Sequence, residues 1–137
     1  MRNHWRRALL LAAAAAFAAG WAGCASSDPG GPGNGGGNGA DATVSATDGL
    51  VFQPASVTIQ VGQTIRWQRT GVLTHTVTFD PSRAIDPDKV ELPAGVQPFF
   101  GNLTQTYSHT FNTAGQYRYV CEPHELNGMQ GSVTVNP

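Results

Sequence analysis

GQYRYVCEPHELNGMQG, residues 115–131, joins a strand pattern to a loop that is rich in metal-binding side chains. Tyr117, Tyr119 and Cys121 occupy alternate positions, as the residues on one face of a β-strand do. Cys121, His124 and Met129 then follow the pattern C-x2-H-x4-M. The segment therefore predicts a strand that runs directly into a loop carrying a thiol, an imidazole and a thioether.

These three side chains suit copper. Soft sulfur ligands suit copper, and one Cys, two His and a weak axial Met form the electron-transfer type of copper site. His75, on the core-facing side of another predicted strand, supplies the second imidazole. Residues 41–137 contain one Cys, one Met and three His, so the site would use the single Cys and the single Met. The alternatives are an unliganded buried cysteine and a thiol nucleophile, for which no Asn or Asp partner is evident.

The rest of residues 41–137 shows the same alternation in short runs separated by turn residues, with no long helical period. The pattern predicts an all-β sandwich of about seven or eight half-buried, antiparallel strands. Residues 80–102 break the rhythm with four prolines and predict a long connection that holds a short strand or helical turn. The alternating sets are Val57, Ile59 and Val61; Ile65 and Trp67; His75, Val77 and Phe79; Tyr107, His109 and Phe111; Val133 and Val135.

Residues 115–131 resemble the plastocyanin and pseudoazurin branch of the cupredoxins, as do LVFxP at 50–54, VGQTIxW at 61–67 and HTV at 75–77. The resemblance implies a Greek-key β-sandwich and a single type 1 copper ion that cycles between Cu(I) and Cu(II). Carried over residue by residue, it implies the ligands His75, Cys121, His124 and Met129. One departure is Thr76, because many relatives have Asn directly after the upstream His.

The function that the resemblance implies is a one-electron carrier, with redox proteins as donor and acceptor. The alternative is a copper storage or delivery module that uses the same ligands. An enzyme is not expected, because the chain lacks the repeated His-x-His pairs of multicopper oxidases. Residues 122–128 also lack the second Cys that a binuclear site needs.

The N-terminal residues predict export. Residues 1–23 have a basic start and an apolar run, as a signal peptide does. The sequence Ala22-Gly23-Cys24 resembles a bacterial lipobox, so Cys24 is expected to carry a lipid. Residues 24–40, rich in Gly, Asn and Pro, are expected to form a flexible tether to the copper domain at 41–137. We therefore expect a protein of the periplasm or of an extracytoplasmic membrane surface.

Charge and loop composition bear on the partners. Residues 41–137 carry five basic and eight acidic side chains, a net charge near −3, so no nucleic-acid partner is expected. We expect a monomer that touches a membrane only through Cys24. The position of His124 in the loop predicts that it reaches the surface, and the resemblance to cupredoxins implies an apolar ring around it, here Pro123, Leu126, Leu50 and Leu73. A rival docking surface consists of the acidic residues Asp80, Asp86, Asp88 and Glu91.

Overall fold

The computed structural model describes residues 39–137, which form nine β-strands and two short 3₁₀ turns. None of the helices in this part of the chain is long and apolar enough to cross a membrane. The strands are β1 (Ala42–Thr47), β2 (Val51–Gln53), β3 (Ser56–Gln60), β4 (Thr64–Thr70), β5 (His75–Phe79), β6 (Phe99–Leu103), β7 (Thr106–Thr110), β8 (Gly115–Val120) and β9 (Gln130–Asn136). The 3₁₀ turns are Pro87–Lys89 and Glu122–Asn127.

The strands build two sheets, in the orders β2-β1-β4-β7 and β3-β9-β8-β5-β6. This confirms the predicted β-sandwich. The count is nine because β2 is only three residues long, too short to show a clear alternation in the sequence. The prediction of antiparallel pairing is wrong in two places, since β1 pairs with β4 and β3 pairs with β9 in parallel. These partners lie far apart along the chain, and strand direction there depends on topology rather than on residue pattern.

Aromatic side chains fill the space between the sheets. Trp67 of β4 donates a hydrogen bond from Nε1 to the Tyr119 hydroxyl of β8 at 3.0 Å, and both residues are fully buried. Phe79 packs edge-on against Trp67, with ring centroids 6.0 Å apart. Gly131 lies against the Tyr119 ring so closely that a Cβ there would collide with it. The tyrosines predicted for the core, Tyr117 and Tyr119, are thus structural.

Strand β5 is buried on both faces, whereas the sequence predicted a half-buried strand. The long connection causes the difference, because it is tied to the loop that covers the outer face of β5. Thr78, on that face, is 0% exposed and donates a hydrogen bond to Glu122 at 2.7 Å. As predicted, the connection holds a helical turn at Pro87–Lys89 and ends in a short strand, β6.

His109 lies in β7, away from the predicted metal ligands. Its ring is half-buried and stacks on Phe99, with centroids 3.8 Å apart and planes 11° from parallel. Phe111 contacts the same imidazole edge-on at 4.9 Å. His109 therefore packs the edge of the sandwich between the two sheets.

Candidate metal centre

The four predicted ligands lie at one end of the five-stranded sheet. His75 opens β5, Cys121 directly follows β8, His124 lies in the turn Glu122–Asn127, and Met129 immediately precedes β9. His75, Cys121 and Met129 are at most 1% exposed, and His124 is half-buried. The centre is therefore enclosed by the sandwich and reaches the surface through one imidazole.

The structure brings three of the predicted donor atoms together. Cys121 Sγ lies 3.6 Å from His75 Nδ1 and 3.4 Å from His124 Nδ1. All three donor atoms lie within 4.8 Å of one another. The two imidazole centroids are 4.9 Å apart. The tertiary fold thus places a thiol between two imidazoles, each of which directs Nδ1 toward it.

Backbone hydrogen bonds close the loop that carries Cys121 and Met129. Cys121 N–H donates to the Met129 carbonyl at 3.0 Å, and Met129 N–H donates to the His124 carbonyl at 3.2 Å. Gly128 ends the turn with φ of 81°, a left-handed conformation that glycine adopts without steric cost. These contacts hold the backbone of Met129, whose side chain is buried, beside that of Cys121, so the predicted axial ligand belongs to the same closed loop.

Thr76 ties the upstream ligand strand to the loop, in the position where many relatives have Asn. Its N–H donates to Cys121 Sγ at 3.4 Å. Its hydroxyl accepts a hydrogen bond from Glu122 N–H at 2.9 Å. The Thr hydroxyl therefore holds both sides of the centre together, and the N–H stabilises negative charge on the sulfur.

The electrostatic environment favours neutral forms of the two buried donors. Burial raises the pKa of the Cys121 thiol, although hydrogen bonds from Thr76 and His124 lower it in part. Burial lowers the pKa of His75, and a positive charge on nearby His124 lowers it further. A neutral imidazole is the form that binds a metal, while the thiol must lose its proton. A bound cation would thus supply the positive charge that a buried thiolate requires.

The donor geometry fits a bound metal ion, and the donor types favour copper. Metal–nitrogen and metal–sulfur bonds of about 2.0–2.3 Å place three trigonal donors roughly 3.5–3.7 Å apart, in line with the observed sulfur–nitrogen separations. Two imidazoles, a thiolate and a nearby thioether form the donor set of electron-transfer copper sites. His75 Nε2 has no hydrogen-bond partner within residues 39–137, so the contacts on the Nδ1 side orient this ring.

Comparison of the chain with known proteins is consistent with a copper site. Residues 39–136 match the model of the family "Copper binding proteins, plastocyanin/azurin family". The chain belongs to this family. It is thus a plastocyanin-like cupredoxin, which binds copper and carries electrons rather than catalysing a reaction.

Individual relatives support the same assignment. The cupredoxin domain is similar to the plastocyanin of Scenedesmus fuscus, with 37% identity over 93 residues that cover 63% of this chain and 87% of the relative. It also resembles the Cu(I) form of an amicyanin mutant, with a TM-score of 0.55 and 28% identity over 74% of this chain and 87% of the other. An oxidised plastocyanin from Dryopteris crassirhizoma shares the fold, with a TM-score of 0.53 and 20% identity over 69% and 99% of the chains.

Three acidic residues form hydrogen bonds or ion pairs around the cupredoxin centre, and the sequence alone did not identify them. Glu122 pairs with Arg83 at 2.7 Å, and Glu125 accepts hydrogen bonds from two backbone N–H groups. Asp48 accepts hydrogen bonds from Val72 and Leu73 N–H, which lower its pKa and shape the turn before His75. The sequence gives only a weak signal for Asp48, which forms an Asp-Gly pair typical of a turn. Nothing in the sequence around Glu125 indicates that its side chain is buried.

Proposed function

We propose that this cupredoxin carries single electrons between redox proteins outside the cytoplasm. The observation that carries the proposal is the burial of three predicted ligands, His75, Cys121 and Met129, beneath a half-exposed His124. Bound copper supplies a reversible one-electron couple. The protein holds the donor atoms close together and keeps water away, so that the ligand set changes little between oxidation states.

This enclosure favours electron transfer over copper storage or delivery. A delivery site must hand its ion to an acceptor, which requires several ligands to be open to exchange. Here only His124 approaches the surface, whereas the thiol is 0% exposed. An electron needs no such opening, because it can leave through the imidazole edge of a single surface ligand.

Apolar side chains exposed on the segments that carry His75 and His124 support docking of a redox partner. Leu126 is 82% exposed and Val72 is 83% exposed, while Leu73 is 39% exposed. Pro123 is exposed as well, but Leu50 packs partly against the core and contributes less than the sequence suggested. Exposed apolar side chains grouped on a small domain mark a contact with another protein, and small interfaces suit partners that bind and release quickly.

The test of carrier against delivery module measures two rates on one copper-loaded sample. A carrier should exchange electrons with small inorganic complexes and with a redox partner far faster than it loses copper to a copper(I) chelator. We expect copper release to be slow, because unfolding or opening of the loop must precede it. Rapid transfer of copper to the chelator, combined with slow oxidation and reduction, would favour the delivery function.

The proposed location rests on the N-terminal sequence. Residues 1–38 lie outside the described part of the structure, so the signal peptide, Cys24 and most of the tether stay predictions. We expect mature protein to begin at a lipid-modified Cys24, and mass spectrometry of its N-terminal peptide decides the matter. A Cys24→Ser variant should be released from membranes in soluble form. An unmodified N-terminus at another residue would exclude the anchor.

A further inference from the structure

We propose that residues 80–90 form a clasp for the copper loop, closed by Glu125, which acts as a positioning residue for His124. Glu125 follows His124 directly, in the turn Glu122–Asn127. Its side chain is 2% exposed, whereas the next residue, Leu126, is 82% exposed. The turn therefore directs a carboxylate inward and an apolar side chain outward.

The buried carboxylate has two specific partners. One oxygen accepts a hydrogen bond from Ile85 N–H at 2.7 Å, and the other accepts one from Asp86 N–H at 2.8 Å. Burial of an ionised carboxylate is costly unless hydrogen bonds replace its water. Charge-assisted bonds of this length are among the stronger hydrogen bonds in proteins. Both oxygens are thus held, and the side chain has little freedom to move.

The ion pair between the clasp and the copper loop is weaker and more exposed. Arg83 forms a two-pronged ion pair with Glu122, at 2.7 and 3.1 Å, and both side chains are accessible to water. The Arg83 guanidinium also lies 3.7 Å above the centre of the Phe100 ring. Exposed ion pairs contribute little to stability, so Glu125 is the contact on which the clasp chiefly depends.

Glu125 is linked to the metal centre through the backbone of His124. This residue has φ of −124° and ψ of 16°, outside the helical range of its neighbours. Its N–H donates to the Cys121 carbonyl at 3.0 Å, and its carbonyl accepts from Met129 N–H. Because Glu125 is the next residue, its fixed side chain limits rotation at this kink. The clasp should therefore maintain the direction of His124 Nδ1 toward Cys121.

The test compares Glu125→Gln with Asp41→Asn in the full, copper-loaded chain. Glutamine keeps the size of the side chain but can accept only one of the two N–H bonds. Asp41 is the matched control, since its exposed carboxylate accepts a hydrogen bond from Thr64 N–H at 2.7 Å, outside both the clasp and the copper loop. Two readouts are needed: amide hydrogen exchange at Ile85 and Asp86, and the copper(II) electron paramagnetic resonance and visible spectra.

In Glu125→Gln we expect exchange at Ile85 and Asp86 to become roughly 10–100-fold faster, as loss of a charge-assisted hydrogen bond implies. We also expect a changed copper hyperfine splitting and charge-transfer band, whereas Asp41→Asn leaves both readouts as in the wild type. Faster exchange with unchanged copper spectra would overturn the positioning role, because the clasp would then hold only its own segment. Unchanged exchange would overturn the clasp itself.

A second variant, Glu125→Asp, tests the proposal if Glu125→Gln does not fold. Glu125→Asp keeps the charge but draws the oxygens back, so smaller changes in the same direction are expected in both readouts. Wild-type exchange and spectra in Glu125→Asp would overturn the proposal. The inference rests on copper binding at this loop but needs no redox partner, so its failure is distinguishable from failure of the proposed electron carrier.

Discussion

The inner and outer sides of the copper loop differ in almost every physical property, although they belong to one short turn. On the inner side Cys121, Glu125 and Met129 are at most 2% exposed and are held by hydrogen bonds. On the outer side Pro123 and Leu126 face solvent. The inner side keeps the ligands in place, and the outer side provides a surface on which a partner can dock. Changes on the inner side should therefore alter the metal centre, and changes on the outer side should alter association.

The largest effect is expected from removal of the thiol. Cys121→Ser should abolish the intense visible band of the copper(II) protein, because that band arises from charge transfer between thiolate and copper. Absorption spectroscopy on protein with added copper(II) provides the measurement. His109→Phe, which removes an imidazole outside the site, serves as the control and should keep the colour. A blue Cys121→Ser protein would disprove the ligand assignment.

The packing below the inner side of the copper loop can be tested at Gly131, which lies against the Tyr119 ring. Gly131→Ala places a methyl group against the Tyr119 ring and should cost about 1–3 kcal/mol in the free energy of unfolding. Chemical denaturation of the copper-loaded protein measures the loss. Gly49→Ala is the matched control, since a Cβ there meets only Thr47 Oγ1, at the ordinary contact distance of 3.4 Å. Equal midpoints for the two variants would show that the Tyr119 contact is not tight.

Met129 tests how the inner side tunes the centre. Met129→Leu should retain copper and colour, since the two side chains are similar in volume and an axial thioether is a weak ligand. The reduction potential should rise, because a donor that favours copper(II) is lost. Protein-film voltammetry measures the shift. Complete loss of copper binding would mean that Met129 holds the metal rather than tunes it.

Leu126 tests the outer side. Leu126→Lys should slow bimolecular electron transfer to a redox partner roughly fivefold, as loss of about 1 kcal/mol at an interface implies, and should leave the visible band unchanged. Val61→Lys is the control. Val61 is also exposed. Its N–H donates a hydrogen bond to the Asn136 carbonyl, at the end of β9 that is far from the copper loop.

Stopped-flow measurements of the electron-transfer rate at several salt concentrations distinguish docking at the apolar surface around Leu126 from docking at the acidic surface. Neutralising Asp80, Asp86, Asp88 and Glu91 together should matter less than Leu126→Lys, and only at low salt. An intact rate in Leu126→Lys, with a collapsed rate after charge removal, would assign docking to the acidic surface instead.

The smallest effect is expected at His109, which belongs to neither side of the loop. Burial lowers its pKa from the ordinary value of 6.5, so the unfolded chain binds a proton more readily than the folded one. Stability should therefore fall as the pH drops below about 6.5 toward the folded-state pKa, and it should be fully present above that range. His109→Phe keeps the stacking on Phe99 and should flatten this dependence. Denaturation midpoints at several pH values test it, and parallel curves for the two proteins would contradict it.

Residue pattern was sufficient for most of the fold and for a prediction of the donor set. Alternation in strands such as Ile65–Trp67 follows from burial of one sheet face, and it is local in the chain. Cys121, His124 and Met129 stand within nine residues, so their chemistry is visible without coordinates. The parallel pairing of β1 with β4 and the full burial of β5 were not predictable in this way, because each depends on segments distant in sequence.

By itself, the sequence determined an all-β copper domain and, through its family resemblance, predicted His75, Cys121, His124 and Met129 as the ligands. Only the tertiary structure decided that His75 meets Cys121 across 46 residues of chain, with Sγ 3.6 Å from Nδ1. It alone decided that Glu125 turns inward while Leu126 turns outward. The physical reason is that donor chemistry belongs to side chains, whereas burial and hydrogen-bond partners depend on which distant backbone groups the fold brings close. Ile85 and Asp86 are such groups, and nothing in their own sequence marks them as partners of a carboxylate.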